Sequence, residues 1–533
     1  MSLTKVSFSM ITGAYINVLD YGAKGTGFVD DTNAIQAAID AAQLRSTTSP
    51  NRGAVVYFPE GQYLVTQTLT ISENRVALRG AGSFLSQLVR NTNYGNTLEI
   101  KKVSGGTLQI LEKIEVSELS FYHDTATIAM TAAHLFVAAV THGRFNELDI
   151  NNGKFGVLVY GCVDVQFYGC NIIGSSSGGT SNSSIGALLT NASESGYAVG
   201  SVVPLPTQIS FSECEIFGPL NTGWEYGLLI NAAEDITVAN CYLGNAKFYN
   251  VFLQQTANNY LLLEVNFTAG TYIDGSGLDS VKIDGSLGNG STYIGTVNFD
   301  SVDIKGQSGQ TTGSGIFVDG TVRAGTYKQA CRNLRIANCR IGDYDDNGIW
   351  IVGCENAIVS NNIIGGNNYN NTSAGRGVLI GAAASRVSMV GNRIGGLPEG
   401  GGTSLQASGI ELATGASSIL VDANDVRYNV TGIVDNTALA TTSARTVTLT
   451  NNIGFNGNLP AVSPAMPAST VNQYNPYGIP CWLSIYSGTV TDILLNGQTI
   501  ATSTTTPVQF PVGPTDRVTI TYSAAPSWIW WPQ

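Results

Sequence analysis

Leu334-Arg335-Ile336-Ala337-Asn338-Cys339-Arg340-Ile341-Gly342 is the stretch on which the fold turns. Its pattern returns at Ala357 to Gly365 and Val387 to Gly395, and more loosely at Ile209 to Ile216 and Ile236 to Gly244. Apolar residues alternate with polar ones, the period of a strand with one face buried. The sixth position reads Cys170, Cys214, Cys241 and Cys339, then Asn362, Asn392, Asn424 and Asn452. A position that changes from Cys to Asn while keeping its phase marks one inward bend in a stack of coils. There the Asn amides can hydrogen-bond up and down the stack.

A second run, Gly followed by apolar–any–apolar, alternates with the first. It reads Gly156-Val157-Leu158-Val159, Gly186-Ala187-Leu188-Leu189, Gly227-Leu228-Leu229-Ile230 and Gly315-Ile316-Phe317-Val318. It continues as Gly348-Ile349-Trp350-Ile351, Gly377-Val378-Leu379-Ile380, Gly409-Ile410-Glu411-Leu412 and Gly432-Ile433-Val434-Asp435. From Leu334 to Ala357 the repeat is 23 residues, and other copies reach 30 or 32, the excess falling after the Gly that closes the first run. A fixed coil with variable loops at one corner predicts a parallel β-helix solenoid.

Composition agrees. At 533 residues the chain exceeds one ordinary core, yet only 12% of it is charged and 62 residues are Gly, which suits an all-β repeat rich in turns. The net charge of −12, without a basic run, excludes a phosphate-backbone partner, so no nucleic acid is expected. No apolar stretch is long enough for a membrane span, and Met1-Ser2-Leu3-Thr4-Lys5 lacks an h-region, so Sec-type secretion is not expected. The eight cysteines form no CxxC pair, so packed, reduced thiols are expected, with no metal site and no cofactor.

Near the start, Tyr15-Ile16-Asn17-Val18-Leu19-Asp20-Tyr21-Gly22-Ala23-Lys24-Gly25 leads into Asp30-Asp31-Thr32-Asn33-Ala34-Ile35-Gln36-Ala37-Ala38-Ile39. Asp30 or Asp31 can cap a helix whose Ile35, Ala38 and Ile39 cover the first coil. With Gly53 to Leu64 and Leu78-Arg79-Gly80-Ala81-Gly82, this segment resembles the opening coils of pectate-lyase-like β-helix proteins. Joined to a small C-terminal β module, it resembles the bacteriophage tailspikes that depolymerise capsule or O-antigen. The resemblance implies an all-β, right-handed parallel β-helix with an N-terminal capping helix, assembled as a homotrimer. It also implies a virion location, docking to a phage tail or adaptor protein through the N-terminus, and a bacterial surface polysaccharide as partner.

The expected organisation is an extension over 1–14, cap and first coils over 15–110, helix with groove loops over 111–456, a linker over 457–478 and a β module over 479–533. Pro460, Pro464 and Pro467 break the linker, Asn496-Gly497 predicts a hairpin, and the Trp528-Ile529-Trp530-Trp531 tail is expected to bury part of its surface between subunits.

For polysaccharide cleavage the leading expectation is a glycoside hydrolase using paired carboxylates. Asp343, Asp345 and Asp346, with Tyr344 among them, crowd one groove loop before the Trp350 strand. Glu411 shares the outward column of Trp350, about 10 Å away over two rungs. Trp224-Glu225-Tyr226 places an acid between two aromatics at the same corner, and Asp319 follows the Phe317 strand. Tyr369, in an Asn-rich loop, is a further sugar contact. Two alternatives stand beside the hydrolase. One is a lyase drawing its base from His123, His134 or His142 with Arg144; the other is a spike that binds sugar without cutting it.

Overall fold

The computed structural model describes residues 15–48, 52–92, 94–123, 132–174, 184–191, 205–219, 223–255, 261–286, 293–306, 313–321, 330–369, 375–396, 405–437, 446–455, 461–503 and 507–533. The N-terminal extension 1–14, Pro460 and the Asn370-Asn371 half of the Tyr369 loop lie outside them. The chain divides into two compact units. The first holds residues 1–319 and 323–331, the second 320–322 and 332–533.

The first unit is a right-handed parallel β-helix of three sheets. Each coil gives a long strand to sheet A (Val163–Tyr168, Thr207–Ser212), a three-residue strand to sheet B (Asn171–Ile173, Glu215–Phe217) and a strand to sheet C (Ile185–Thr190, Tyr226–Ile230). Register is strict: Val165 pairs with Ile209, Ile209 with Ile236, and Ile236 with Val265. Such spacing stacks like on like. Phe145, Phe167 and Phe211 lie ring on ring with centroids 4.9 Å apart, as do Phe267 and Phe299 at 4.8 Å. All are fully buried, and each contributes about 1.5–3 kcal/mol by area.

Between sheets A and B the chain bends in one residue of positive φ: Gly169 at 60°, Glu213 at 54°, Asn240 at 52°. The next residue is Cys170, Cys214 or Cys241, whose thiol hydrogen-bonds the carbonyl of a Phe in the preceding coil, at 3.3–3.4 Å. All eight cysteines are free and buried. The helix Thr32–Thr48 caps this unit, burying Ile35, Ala38, Ile39 and Ala42. Asp30 is its cap, accepting from the Thr32 amide at 3.0 Å, while Asp31 turns back to the amides of Lys24 and Gly25.

The second unit has the same coil in its first part. Sheet A runs through Glu355–Ser360, Ser385–Val390, Ser417–Asp422 and Val447–Thr450, and sheet C through Ile349–Gly353, Arg376–Ile380, Ser408–Leu412 and Thr431–Asp435. At its bend the ladder is made of amides. Asn362, Asn392 and Asn424 each donate Nδ2 to the Oδ1 of the next Asn and to a strand carbonyl, and each takes its Oδ1 bonds from the residue before. A C-terminal module of a four-stranded and a three-stranded antiparallel sheet follows. Asn472–Tyr474 already pairs with Arg517–Ala524. The expected hairpin joins Thr489–Leu495 to Gln498–Thr502 through Asn496 and Gly497, both at positive φ.

One expectation is corrected. The variable segments do not share one corner. They also separate sheet C from the next sheet A strand, as between Thr190 and Thr207, so both edges of sheet C carry them. In the tail, Trp528 and Trp530 are buried within their own module, with the Trp528 indole donating to the Pro464 carbonyl at 2.7 Å; only Trp531 is exposed. Two antiparallel sheets suffice to hide two of the three indoles.

Candidate functional site

Successive residues of a strand point to opposite faces, so sheet C sends every second side chain outward. In the first unit one outward column reads Phe136, Leu158, Leu188, Leu229, Phe252, Lys282, Phe317. A second reads Phe155, Ile185, Tyr226, Tyr249. From Phe136 to Phe252 the first column is buried in an apolar cluster, and Tyr226, Tyr249, Lys282 and Phe317 form its partly exposed end. Tyr226, Tyr249 and Phe252 lie with ring centroids 5.0–5.8 Å apart, and Phe248 adds a fourth ring 5.9 Å from Tyr226. Lys282 Nζ sits 3.6 Å above the centre of the Phe317 ring and 6.0 Å from that of Tyr249, within cation–π range of both. Lys247 lies 5.1 Å over Phe248 and 3.7 Å from the Glu225 carboxylate.

Two carboxylates close the arrangement. Asp284 and Asp319 are register partners on adjacent strands and point outward on the same face. One rung separates them, about 4.8 Å at the backbone. Asp284 is oriented by the Ser286 amide, which donates to it at 2.7 Å. Burial, then the charges of Asp279 and Asp284, push the Tyr249 phenol up to about 12, so it stays protonated and can donate to a sugar oxygen. Along the sheet C face the aromatic cluster, Lys282 with Phe317, and the two adjacent acids thus follow one another.

Comparison with known proteins agrees with this architecture. The profile of the family described as "Rhamnogalacturonase A/epimerase, pectate lyase-like" matches residues 15–247. The fold is a parallel β-helix. Alginate lyase 7 of Azotobacter vinelandii is 54% identical over 50 residues, which cover 9% of this chain and 5% of that protein. Mannuronan C5-epimerase AlgE1 of the same organism is 47% identical over 73 residues, 12% of this chain and 5% of that one. The chain therefore spans about one twentieth of these curated relatives. Among solved structures, tailspike protein 3 of bacteriophage CBA120 matches with a TM-score of 0.54 and 13% identity, over 88% of this chain and 67% of that one. The adhesin PfbA of Streptococcus pneumoniae matches with a TM-score of 0.53 and 14% identity, over 87% and 98%. At such identities the likeness is one of fold.

Of the residues expected from sequence, Tyr226 joins the aromatic cluster with Glu225 buried beside it, while Asp319 lies three rungs away at the other end of the sheet C strands. Trp224 does not join them as a sugar platform. It is 2% exposed, and its indole donates to the Ile172 carbonyl at 3.4 Å. The acidic loop of the second unit is corrected more strongly. Asp343 and Asp345 are buried, Tyr344 is wholly so, and only Asp346 is partly open. That turn is packed inward rather than displayed on a groove, so the Tyr344 ring has no free face. Trp350 and Glu411 do share one outward column, through Leu379, but Glu411 is tied up. Arg376 Nε donates to it at 2.5 Å and Asn436 at 3.3 Å. Tyr369 is half-buried, its amide bonded to the Tyr344 carbonyl.

Two of the three histidines are buried, and the third, His142, is exposed with Nε2 3.8 Å from the Asp164 carboxylate. His134 is fully buried, with Nε2 2.9 Å from the Asn151 carbonyl and Nδ1 3.0 Å from the Thr97 hydroxyl. Burial lowers its pKa to about 3, so it is a neutral strut. His123 is buried too, and Arg144 is engaged by Asp164. Among the described residues no cluster of three or more His, Cys, Asp or Glu could hold a metal.

Tyr249, Phe252, Lys282 and Asp284 were not anticipated, and the reason is local. In most coils Gly opens the sheet C strand because a Cβ there would strike the neighbouring backbone, 2.6 Å away at Gly156 and Gly227. Tyr249–Gln254 and Val281–Asp284 have Asn250 and Ser280 at that place. Asn250 is tolerated because its amide is bonded to Ala246 N and the Asp274 carbonyl. A search keyed on Gly passes over both strands, and they carry the site.

Proposed function

We propose that the outward face of sheet C in the first unit binds and cleaves a polysaccharide as a glycoside hydrolase, with Asp284 and Asp319 as the paired carboxylates. The observation that carries this reading is their register pairing beside the Tyr226–Tyr249–Phe252 rings and Lys282. Carboxyls about 5 Å apart suit a retaining mechanism, whereas about 6.5–9.5 Å suits inversion. In a retaining reaction one carboxylic acid protonates the glycosidic oxygen as that bond breaks, and the other carboxylate attacks the anomeric carbon. Water then releases the sugar with the first residue acting as base. The aromatic faces hold the sugar C–H surfaces, and Lys282 offers a charge to an acidic sugar.

In the whole protein this activity belongs to a homotrimeric phage tailspike that docks through its N-terminus and depolymerises capsule or O-antigen. Glu411, Arg376 and Trp350 serve as sugar contacts, not as the cutting pair. The test is incubation with surface polysaccharides extracted from a panel of bacteria, following reducing ends and the ultraviolet absorbance of unsaturated uronate. Reducing ends without that absorbance, lost in Asp319→Asn, support the reading. Unsaturated products mean a lyase, and binding without either means a receptor-binding spike.

A further inference from the structure

A different face of the first unit carries its own aromatic surface. On the outward side of sheet B, one column reads Glu215, Tyr242, Tyr272, Asp303 and the neighbouring one Phe217, Gly244, Asp274, Lys305. Gly244 is decisive. A Cβ built on it would lie 2.6 Å from Cζ and Oη of Tyr242 and 2.9 Å from Cε1. The Tyr242 ring therefore lies down along its own strand, over the glycine, instead of standing up from the sheet. Tyr272 on the next rung is nearly parallel to it, at 19° and 5.9 Å between centroids, while Phe217 on the previous rung meets it edge-on at 5.9 Å. All three rings are half-exposed.

Tyr242 and Tyr272 stack on successive rungs while both stay partly exposed, so together they form an aromatic ridge on this face. The rise of about 4.8 Å per rung is close to the length of one sugar residue in an extended chain. Hydrogen-bonding groups flank the floor. Asp274 is in the column where the Tyr242 ring tip lies, with Lys305 beside it on the next rung and Asp303 in the Tyr column. Burial pushes Asp274 up to about 6, against the pull of Lys305. The acids outnumber the cation, unlike the lysine-bearing sheet C groove, so an anionic chain is disfavoured. A wholly apolar protein partner is disfavoured by the same charged rim.

We propose that Tyr242, Tyr272 and Phe217, with Asp274 and Lys305, form a second polysaccharide-binding surface. It takes neutral sugar residues along the helix axis and holds the polymer while sheet C works on it. The inference rests on the reading of the protein as polysaccharide-active but not on the assignment of Asp284 and Asp319.

The test is binding of the intact chain to an array of neutral glycans, including bacterial O-antigen and capsule repeats. Wild type should bind at least one glycan, and Tyr242→Ala and Tyr272→Ala should each lose about tenfold. Gly244→Ala should weaken binding in the same direction, because it lifts the ring while leaving the tyrosine and the interior intact. Binding to no glycan overturns the proposal, as does binding unchanged in Tyr242→Ala. So does a fall in oligomeric mass by sedimentation in that variant, which would make the face a subunit contact. If array binding depends on Tyr242 but no polysaccharide is cut, this surface stands and the hydrolase reading fails.

Discussion

The two units use one coil with different chemistry inside and out. In the first, the bend is lined by thiols that bond to backbone carbonyls and, from Cys170 through Cys214 to Cys241, weakly to one another, and the neighbouring interior is a stack of phenylalanines. In the second, the bend is a chain of amides that bond to one another, flanked by Ile336, Val359, Met389 and Val421. The outward faces diverge as well. Sheet C of the first unit shows half-buried aromatics, Lys282 and two adjacent aspartates. In the second unit the acids are packed in a turn or paired, and Asn367, Gln406 and Asn429 are linked in a row at 2.7 Å each. Acid density along the chain is highest where acids are structural.

That contrast can be broken experimentally. The largest stability effect is expected at the amide ladder. Asn392 accepts from Asn362 and donates to Val359 and Asn424, so Asn392→Ala leaves several buried groups unpaired. A loss of about 3 kcal/mol is expected in urea denaturation, with polysaccharide cleavage per folded molecule unchanged. Asp345→Ala comes next. A buried, partnered carboxylate lost from a turn should cost about 2 kcal/mol and again spare activity.

Asp274 tests the polar surface of the first unit. Its pKa is raised from 3.8 to about 6, so folding favours the neutral acid. That favourable contribution is complete below about pH 4 and is lost as pH rises through about 6. Asp274→Asn should therefore be more stable than wild type at neutral pH by about 1–2 kcal/mol, a figure reduced for its partial exposure, and no more stable near pH 4. The smallest effect belongs to the thiol ladder. Cys214→Ser keeps a donor to the Phe167 carbonyl and should change stability by less than about 1 kcal/mol. A loss as large as that of Asn392→Ala would mean that the two ladders are equivalent after all.

The coil was legible in the sequence because stacking imposes phase. A Cys-to-Asn ladder after a left-handed bend and a Gly where a Cβ would strike backbone both survive as spacing. The site was legible only in part. Glu225 precedes and Tyr226 opens a strand that keeps Gly, and Asp319 ends another, but Lys282 and Asp284 sit in a strand preceded by Ser280, where the phase is hidden. Burial was the other unseen quantity. Asp343 to Asp346 read as a solvated turn, and nothing in four polar letters shows that Tyr344 anchors them inward. In the tail, two antiparallel sheets bury Trp528 and Trp530, and Trp531 stays exposed.

The central claim is that the cutting pair lies in the first unit. It is tested by the rate of reducing-end release from one cleaved polysaccharide, measured for Asp284→Asn, Asp319→Asn, Asp345→Asn and Glu411→Gln in parallel. The first two should fall by about 100-fold or more with melting unchanged, and the last two should stay within about threefold of wild type per folded molecule. A collapse of activity in Asp345→Asn or Glu411→Gln, with Asp284→Asn and Asp319→Asn fully active, would contradict it.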